Sequence, residues 1–320
     1  MKVKVIGAGI FGCSIAIELA KVGCDVTLVE KNNDIMNGAS KCNHNRIHFG
    51  FHYPRSIETA KESLDGLVLF LMRFKDSIVS DFDNYYFLEK NSKVTSKQYL
   101  DFCDEVGVHY DFESPSKNII NYDSIDMSLK VLEPVFDYRA IKDKLKSDLL
   151  KYKVNVKLNN KFNRNDNYDY IINSSYGNIN DVNKELGVSK INVKLQDVII
   201  PIFEKKHKRI GLTIMDGPFC SIMPKGFEDN KFLLYNFDVE KQVDKIYSES
   251  KKYYPFLNDI KPIDYWRTLR ALPINDNDER LSEIFISEDN PKVISVLSGK
   301  VSSCWLSALK IKNIISQGSL

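Results

Sequence analysis

The sequence predicts an α/β chain in which a parallel-sheet domain is interwoven with a second, α+β domain built on a mixed or antiparallel sheet. Three observations carry this. A β-branched run, Val3–Ile6, leads straight into Gly7-Ala8-Gly9-Ile10-Phe11-Gly12 and a helical pattern. Strand-like runs gather later in the chain, at Asn84–Leu88, Lys194–Phe203, Arg209–Met215, Phe219–Met223 and Lys231–Asp238. Helix and strand signals of the first kind return near residues 137–177 and again at the end, so the last residues complete the first domain.

The opening unit reads in order. Val3–Ile6 is a buried parallel strand. Ser14–Val22 carries apolar residues at helical spacing (Ile15, Ile17, Leu19, Ala20), and Gly23 closes that helix. Asp25–Val29 is a second strand ending at Glu30. Gly7 permits the tight turn, Gly9 lets backbone approach a pyrophosphate on the helix N-terminus, and Gly12 lets helix and strand pack closely. Glu30 lies 18 residues past Gly12, near the roughly 20 expected for the acid that takes ribose hydroxyls. These parts in register form a Rossmann-like dinucleotide site, and the acid disfavours a 2′-phosphate.

An NAD domain would continue with alternating strands and helices. Here Glu30 is followed by an irregular segment to Ser56 and then a long helix from about Ile57 to Ile78. Asp137–Tyr152 is a helix with Ile141, Leu145 and Leu149 on one face, and Val154–Leu158 a strand. Tyr168–Gly177 (YDYIINSSYG) is a strand ending in small residues. Lys292–Leu297 is a strand followed by Ser298-Gly299-Lys300 and a helix from about Ser303 to Ile315. Such interweaving favours FAD. It places the FAD-binding domain in residues 1–80, 135–190 and 275–320, and the substrate domain in 81–134 and 191–274.

In these residues the chain resembles the FAD-dependent oxidoreductases of the D-amino-acid oxidase family, which includes glycine, sarcosine and L-2-hydroxyglutarate oxidases. GAGIFG with Glu30 is similar to the family's FAD-binding unit. Residues 40–53 resemble its loop with an H-x-G-x-x-Y pattern, here His48-Phe49-Gly50-Phe51-His52-Tyr53. YDYIINSSYG and the terminal SGK resemble its other flavin contacts. Two departures stand out: Ser174-Ser175-Tyr176-Gly177 replaces an Ala/Thr-Gly pair, and Arg46 stands where hydroxyglutarate-type relatives carry small residues. The resemblance implies cofactor contacts at Gly7, Gly9, Ile10, Phe11, Gly12, Glu30, Lys31, Ser40, Asn45, Arg46, Ser174, Gly177, Gly299, Lys300 and Val301.

Asn43–Ser56, NHNRIHFGFHYPRS, packs three histidines, two arginines, three aromatics and a proline into fourteen residues. The fold implied would run it toward the isoalloxazine ring. His48, His52 and Tyr53 are the catalytic candidates there. Gly50 permits close backbone approach, Arg55 faces the site or only opens the next helix, and Ser56 is a good N-cap. In Trp266-Arg267-Thr268-Leu269-Arg270-Ala271-Leu272-Pro273, alternation sets Arg267 and Arg270 on opposite faces. The resemblance makes Arg270 the guanidinium that holds a substrate carboxylate. Lys225 and Tyr235 are further pocket candidates, and Cys304 or His48 a possible covalent flavin link. Asp216-Gly217-Pro218 reads as a hairpin turn, 159–169 as an asparagine-rich loop, and SKKYYPFL (250–257) as a solvated helix end.

Composition sets outer limits. Hydrophobic content of 43% and charged content of 28% are ordinary for a globular chain. A net charge of +2 with scattered lysines disfavours nucleic acid. No apolar stretch reaches the roughly 18 residues of a membrane span. The start resembles a secretory signal, but Glu18 interrupts its apolar run. Six scattered cysteines, none in a ligand cluster, argue against a metal site and fit a reducing, cytoplasmic setting. The expected function is hydride transfer from a C–H bearing an amine or hydroxyl to flavin N5. The substrate is a small, anionic amino acid, 2-hydroxy acid or sugar-like molecule, and the electron acceptor oxygen or another molecule. The histidines lean this toward an alcohol, with His48 or His52 as base. The alternatives are a non-redox, sugar-mutase-like FAD enzyme and a protein with purely structural FAD.

Overall fold

The computed structural model describes residues 1–163, 167–206, 208–216, 220–236, 243–274 and 280–317. β1 (Lys2–Ile6) leads into α1 (Ile10–Lys21) and returns as β2 (Asp25–Val29), parallel to β1 with Lys2 opposite Asp25. α1 starts four residues before the apolar periodicity does, because Cys13 N–H already bonds the Gly9 carbonyl at 3.0 Å. Gly23, at φ +84°, makes the left-handed exit that an L side chain resists.

Residues 30–56 hold no helix or strand beyond one bridge, Arg46 to Val135. α2 (Ile57–Phe74) starts where Ser56 caps it, accepting Thr59 N–H at 3.3 Å. It stops short of the expected Ile78: a tight turn intervenes, and Ile78 joins β3 (Ile78–Val79). There follow β4 (Asp83–Glu89), α3 (Ser96–Val106), β5 (Tyr110–Asp111), β6 (Ile125–Val131) and β7 (Val135–Phe136). α4 (Tyr138–Lys151) is capped by Asp137 and leads to β8 (Asn155–Lys157), β9 (Tyr170–Asn173) and α5 (Ile179–Leu186). β10 (Val193–Glu204), β11 (Ile210–Met215), β12 (Cys220–Lys225) and β13 (Glu228–Asn236) precede α6 (Val243–Ser250) and β14 (Pro262–Pro273). β15 (Glu283–Ile286), β16 (Val293–Leu297) and α7 (Cys304–Ser316) end the fold.

The strands form two large sheets. One has the order β15-β16-β9-β1-β2-β8 and is parallel except for β15. The other has the order β14-β10-β13-β12-β11-β4-β6-β5 and is antiparallel except for the parallel β11–β4 pair. α1, α2, α4 and α7 cover one face of the first sheet, burying Val3, Val5, Ile15, Leu28, Phe70, Trp305 and Ile311. α5 covers part of the other through Val182 and Leu186. The second sheet has its own core around Phe87, Leu212, Ile222, Leu234 and Tyr254.

β11 and β12 pair as a hairpin, while its expected turn residues 217 and 218 lie outside the described residues. So do Phe219, residues 237–238 of the expected last strand and 164–166 of the asparagine-rich loop. SKKYYPFL differs from expectation. It does end a helix, but Tyr254 is wholly buried and donates to the Cys220 carbonyl at 2.8 Å. Its apolar ring outweighs the lysines beside it. Among the described residues no helix is long and apolar enough to cross a membrane.

Gly66 marks where α2 meets the turn before α7. A Cβ there would lie 2.7 Å from the Ser302 carbonyl oxygen. Gly66→Ala should therefore lower stability by about 1–3 kcal/mol, although alanine is the better helix former. Gly38→Ala, with nothing within 4 Å of its Cβ, is the control. Urea denaturation of the two variants checks this, and equal stabilities would disprove the packing account.

Candidate active site

One long cavity of about 530 Å³ runs between the two sheets. Its first end is made by the β1–α1 turn. Gly7, at φ +97°, turns the chain, and a Cβ there would lie 2.8 Å from the Ser174 carbonyl oxygen. A Cβ on Gly12 would lie 1.9 Å from the Gly7 oxygen, so Gly12 serves packing and does not line the cavity. Gly9 caps α1 without a side-chain hydrogen bond, which leaves first-turn N–H groups facing the cavity beside Ile10 and Phe11. Ser40 Oγ takes one of them, from Ile10, at 2.9 Å. Glu30 is buried at the end of β2, its carboxylate accepting from Ala8 N–H at 2.8 Å and from Asn32 N–H at 2.9 Å. A helix terminus with free N–H donors followed by a fixed carboxylate acceptor is the pair of groups that the pyrophosphate and ribose hydroxyls of FAD require. The residues present fit that cofactor. Lys31 lies beside Glu30 on the wall, Ser174 adjoins the Gly7 turn, and Gly299, Lys300 and Val301 also line the cavity.

The second end is built by the 43–56 loop and the large sheet. Val198 and Ile200 of β10 supply an apolar wall, while Tyr235 of β13 and Arg270 of β14 point chemistry into it. Arg270 donates to the Tyr235 hydroxyl. His44 meets the Tyr235 ring edge-on at 5.1 Å. His48, His52 and Tyr53 cluster with ring centroids 5.3–6.0 Å apart, and Lys300 Nζ lies 4.0 Å over the Tyr53 ring. Burial pushes all three imidazoles well below their ordinary value, reinforced by Arg46 and, at His48 and His52, by Lys300. Burial and the Arg46 charge bring the half-buried Lys300 ammonium down to about 7. At neutral pH this end therefore holds neutral imidazoles beside a permanent guanidinium.

Behind the histidines lies a buried charge cluster. Arg46 pairs with Glu133 at 3.3 Å and donates to Thr213 Oγ1 at 2.6 Å and to the Tyr86 hydroxyl. Tyr86 in turn donates to Glu133, which also accepts Phe49 N–H at 2.9 Å. Burial pushes the Glu133 carboxyl up, with Arg46 and Tyr86 acting against it. Asn45 makes the approach possible: at φ +54° it turns the loop, and its carbonyl takes Phe136 N–H at 2.7 Å.

All four catalytic candidates, His48, His52, Tyr53 and Arg270, line the same cavity end. Of the cofactor candidates, Gly12, Asn45 and Gly177 do not line it. A Cβ on Gly177 would crowd Leu269 of β14 at 3.0–3.1 Å, so that glycine permits a close approach of the two sheets. Asn45 is wholly buried, with neither amide atom partnered among the described residues. Gly50, at φ +106°, packs on Val106, Val108 and Ala60 away from the cavity. Arg55 pairs with Asp216 at 3.1 Å. Lys225 pairs with Glu228 and does not line the cavity, and neither does Cys304, whose thiol burial pushes up to about 12. His44, Tyr86, Glu133 and Thr213 were not singled out by sequence. His44 sat in the same dense motif, whereas the other three resemble ordinary strand and loop residues.

Residues 2–124 match the family described as DAO, FAD dependent oxidoreductase. The chain is 23% identical over 227 residues to the FAD-dependent monooxygenase FPY4 of Fusarium mangiferae, covering 69% of this chain and 60% of that protein. Over 111 residues it is 34% identical to the FAD-dependent monooxygenase kojA of Aspergillus flavus, covering 33% of this chain and 26% of kojA. The chain thus spans less than two thirds of the length of these curated relatives. Glycine oxidase from Geobacillus kaustophilus shares the fold with a TM-score of 0.79 at 12% identity, covering 98% of this chain and 94% of that one. L-proline dehydrogenase from P.horikoshii does so at 0.76 and 15%, covering 99% and 93%.

Two outcomes follow from this geometry. Glu30→Ala should weaken FAD binding about 10–100-fold, the worth of hydrogen bonds to a charged group, in a fluorescence titration of apoprotein. Unchanged affinity would remove Glu30 from the ribose site. Arg46→Met should cost about 3–5 kcal/mol, because it strands the buried Glu133 carboxylate. Chemical denaturation measures it, and a loss no larger than that of an exposed arginine would contradict the pairing.

Proposed function

We propose that this chain, whose residues 2–124 match the FAD dependent oxidoreductase family, oxidises a small anionic molecule at a C–H bond bearing a hydroxyl or an amine. One observation carries the reading. Arg270, Tyr235 and three neutral imidazoles converge at one end of a cavity whose other end is a dinucleotide cradle. Arg270 offers a substrate carboxylate a planar, permanently charged fork, and Tyr235 holds that fork in place. Val198 and Ile200 keep the reacting carbon dry. FAD, when bound, would supply the hydride acceptor, with oxygen or another molecule as the final electron acceptor.

The neutral imidazoles favour a hydroxyl, since an alcohol must surrender a proton to a base while an amine reacts as its free base. A 2-hydroxy acid or sugar-like acid is therefore the first class of substrate. The fold shared with glycine oxidase and L-proline dehydrogenase supports amines as the second class. The described cysteines are all buried and free, which suits a reducing, cytoplasmic compartment.

The test is the flavin spectrum under anaerobic addition of amino acids, 2-hydroxy acids and sugar acids in turn. Bleaching by a hydroxy acid is the expected result, bleaching by amino acids alone would select the second class, and a flavin oxidised throughout would overturn the redox reading. With the responding substrate, Arg270→Met should raise KM about 10–100-fold, as expected for losing a charged hydrogen-bonded pair. The titration of Lys300 at about 7 gives a second check. It is cationic below that pH and neutral above, so a carboxylate inhibitor should bind more weakly as pH rises through about 7. Lys300→Met should flatten the profile, and a wild-type profile without that limb would contradict it.

A further inference from the structure

We propose that His48, oriented by the buried Glu133 carboxylate, is the proton-accepting base of this site, and that His52 is a hydrogen-bond donor to substrate. The proposal rests on the hydroxyl reading given above.

The two imidazoles differ in what stands behind them. His48 Nδ1 lies 3.8 Å from Glu133 Oε1 and has no hydrogen-bond partner among the described residues, although it is buried. A carboxylate on that side selects the tautomer with hydrogen on Nδ1. Nε2 then keeps its lone pair. His52 Nδ1 instead lies 3.4 Å from Arg46 Nη1, which is always a donor. That contact makes His52 Nδ1 the acceptor and puts the hydrogen on Nε2. Arg46 and Lys300 oppose a proton on either ring, but at His52 the guanidinium stands 3.4 Å from Nδ1, whereas at His48 a carboxylate 3.8 Å from Nδ1 works against those charges.

Glu133 is suited to the task. It is buried, and it does not line the cavity, so it acts through His48. Tyr86, Arg46 and Phe49 N–H pin it. Phe49 adjoins His48, so the carboxylate that holds this backbone also faces the ring. In the reaction the hydroxyl O–H bond breaks and its proton moves to His48 Nε2. The O–H electron pair becomes the second bond of the carbonyl, and the C–H pair leaves with its hydrogen as hydride to the cofactor. The charged and titratable groups facing His48 are Glu133 from the β6–β7 link, Lys300 from the turn before α7, and His44, Arg46, His52 and Tyr53 of its own loop.

The first measurement needs no substrate. Long-range ¹⁵N correlation spectra of the FAD-loaded protein, with imidazoles assigned by single His→Gln variants, should show hydrogen on Nδ1 at His48 and on Nε2 at His52. Hydrogen on Nε2 at His48 would overturn the proposal even if every substrate test succeeds. The second uses the responding substrate. FAD-loaded Glu133→Gln should reduce its flavin about 100-fold more slowly, with KM within about threefold of wild type. The acid limb of its pH–rate profile should move to lower pH, because His48⁺ has lost its counter-charge. His52→Gln should act mainly on KM. An unshifted limb in Glu133→Gln, or a greater loss of rate in His52→Gln than in His48→Gln, would refute the assignment. Should Glu133→Gln not fold, the wild-type tautomers decide alone. If no substrate reduces the flavin, the functional reading fails and the tautomers still report on His48.

Discussion

Arg46 enters a region from which water is excluded, and a guanidinium there needs an anion and partners for its remaining donors. Glu133 supplies the anion, Thr213 and Tyr86 the other acceptors. These four residues come from the loop after β2, the β6–β7 link, β11 and β4, so the cluster joins the parallel-sheet unit to the large sheet. Because every member is satisfied by another, the loop has one low-energy path. That path carries His44, His48 and His52 to the cavity wall.

The rest of the site follows from this anchoring. A segment with no helix and almost no strand would ordinarily be the least ordered part of a chain. Here Asn45 turns it, Pro134 and Phe136 hydrogen-bond its backbone, and Gly50 sets it against α3. The same cluster lends the site its electrostatics. Arg46 depresses Lys300 and the histidines, while Glu133 sets its charge against Arg46 and beside His48. Positive potential is therefore felt at the histidine end of the cavity, with the Glu133 carboxylate behind it.

Much of this was legible in sequence. The β1–α1–β2 cradle was, because strand, turn, helix and acid fall within thirty residues and each has a local signature. α4, β9, β16 and α7 were too, each announced by its own periodicity. Boundaries were less so: α2 gave way before Ile78, since pairing with Phe136 outweighed helical propensity. Tyr253 and Tyr254 are buried although the lysines before them give the stretch a solvated signature.

By itself the sequence determined the cofactor cradle and the concentration of imidazoles between residues 43 and 56. Both are short-range, and composition or spacing suffices to read them. Only the tertiary structure decided which groups stand behind those imidazoles. Glu133 lies 85 residues from His48, and Tyr86 and Thr213 sit on different strands, with nothing in their local sequence to mark them. Burial made their partnership obligatory, because an unpaired charge or hydroxyl at that depth costs far more than the pairing does. That constraint exists only once the two sheets have closed around it.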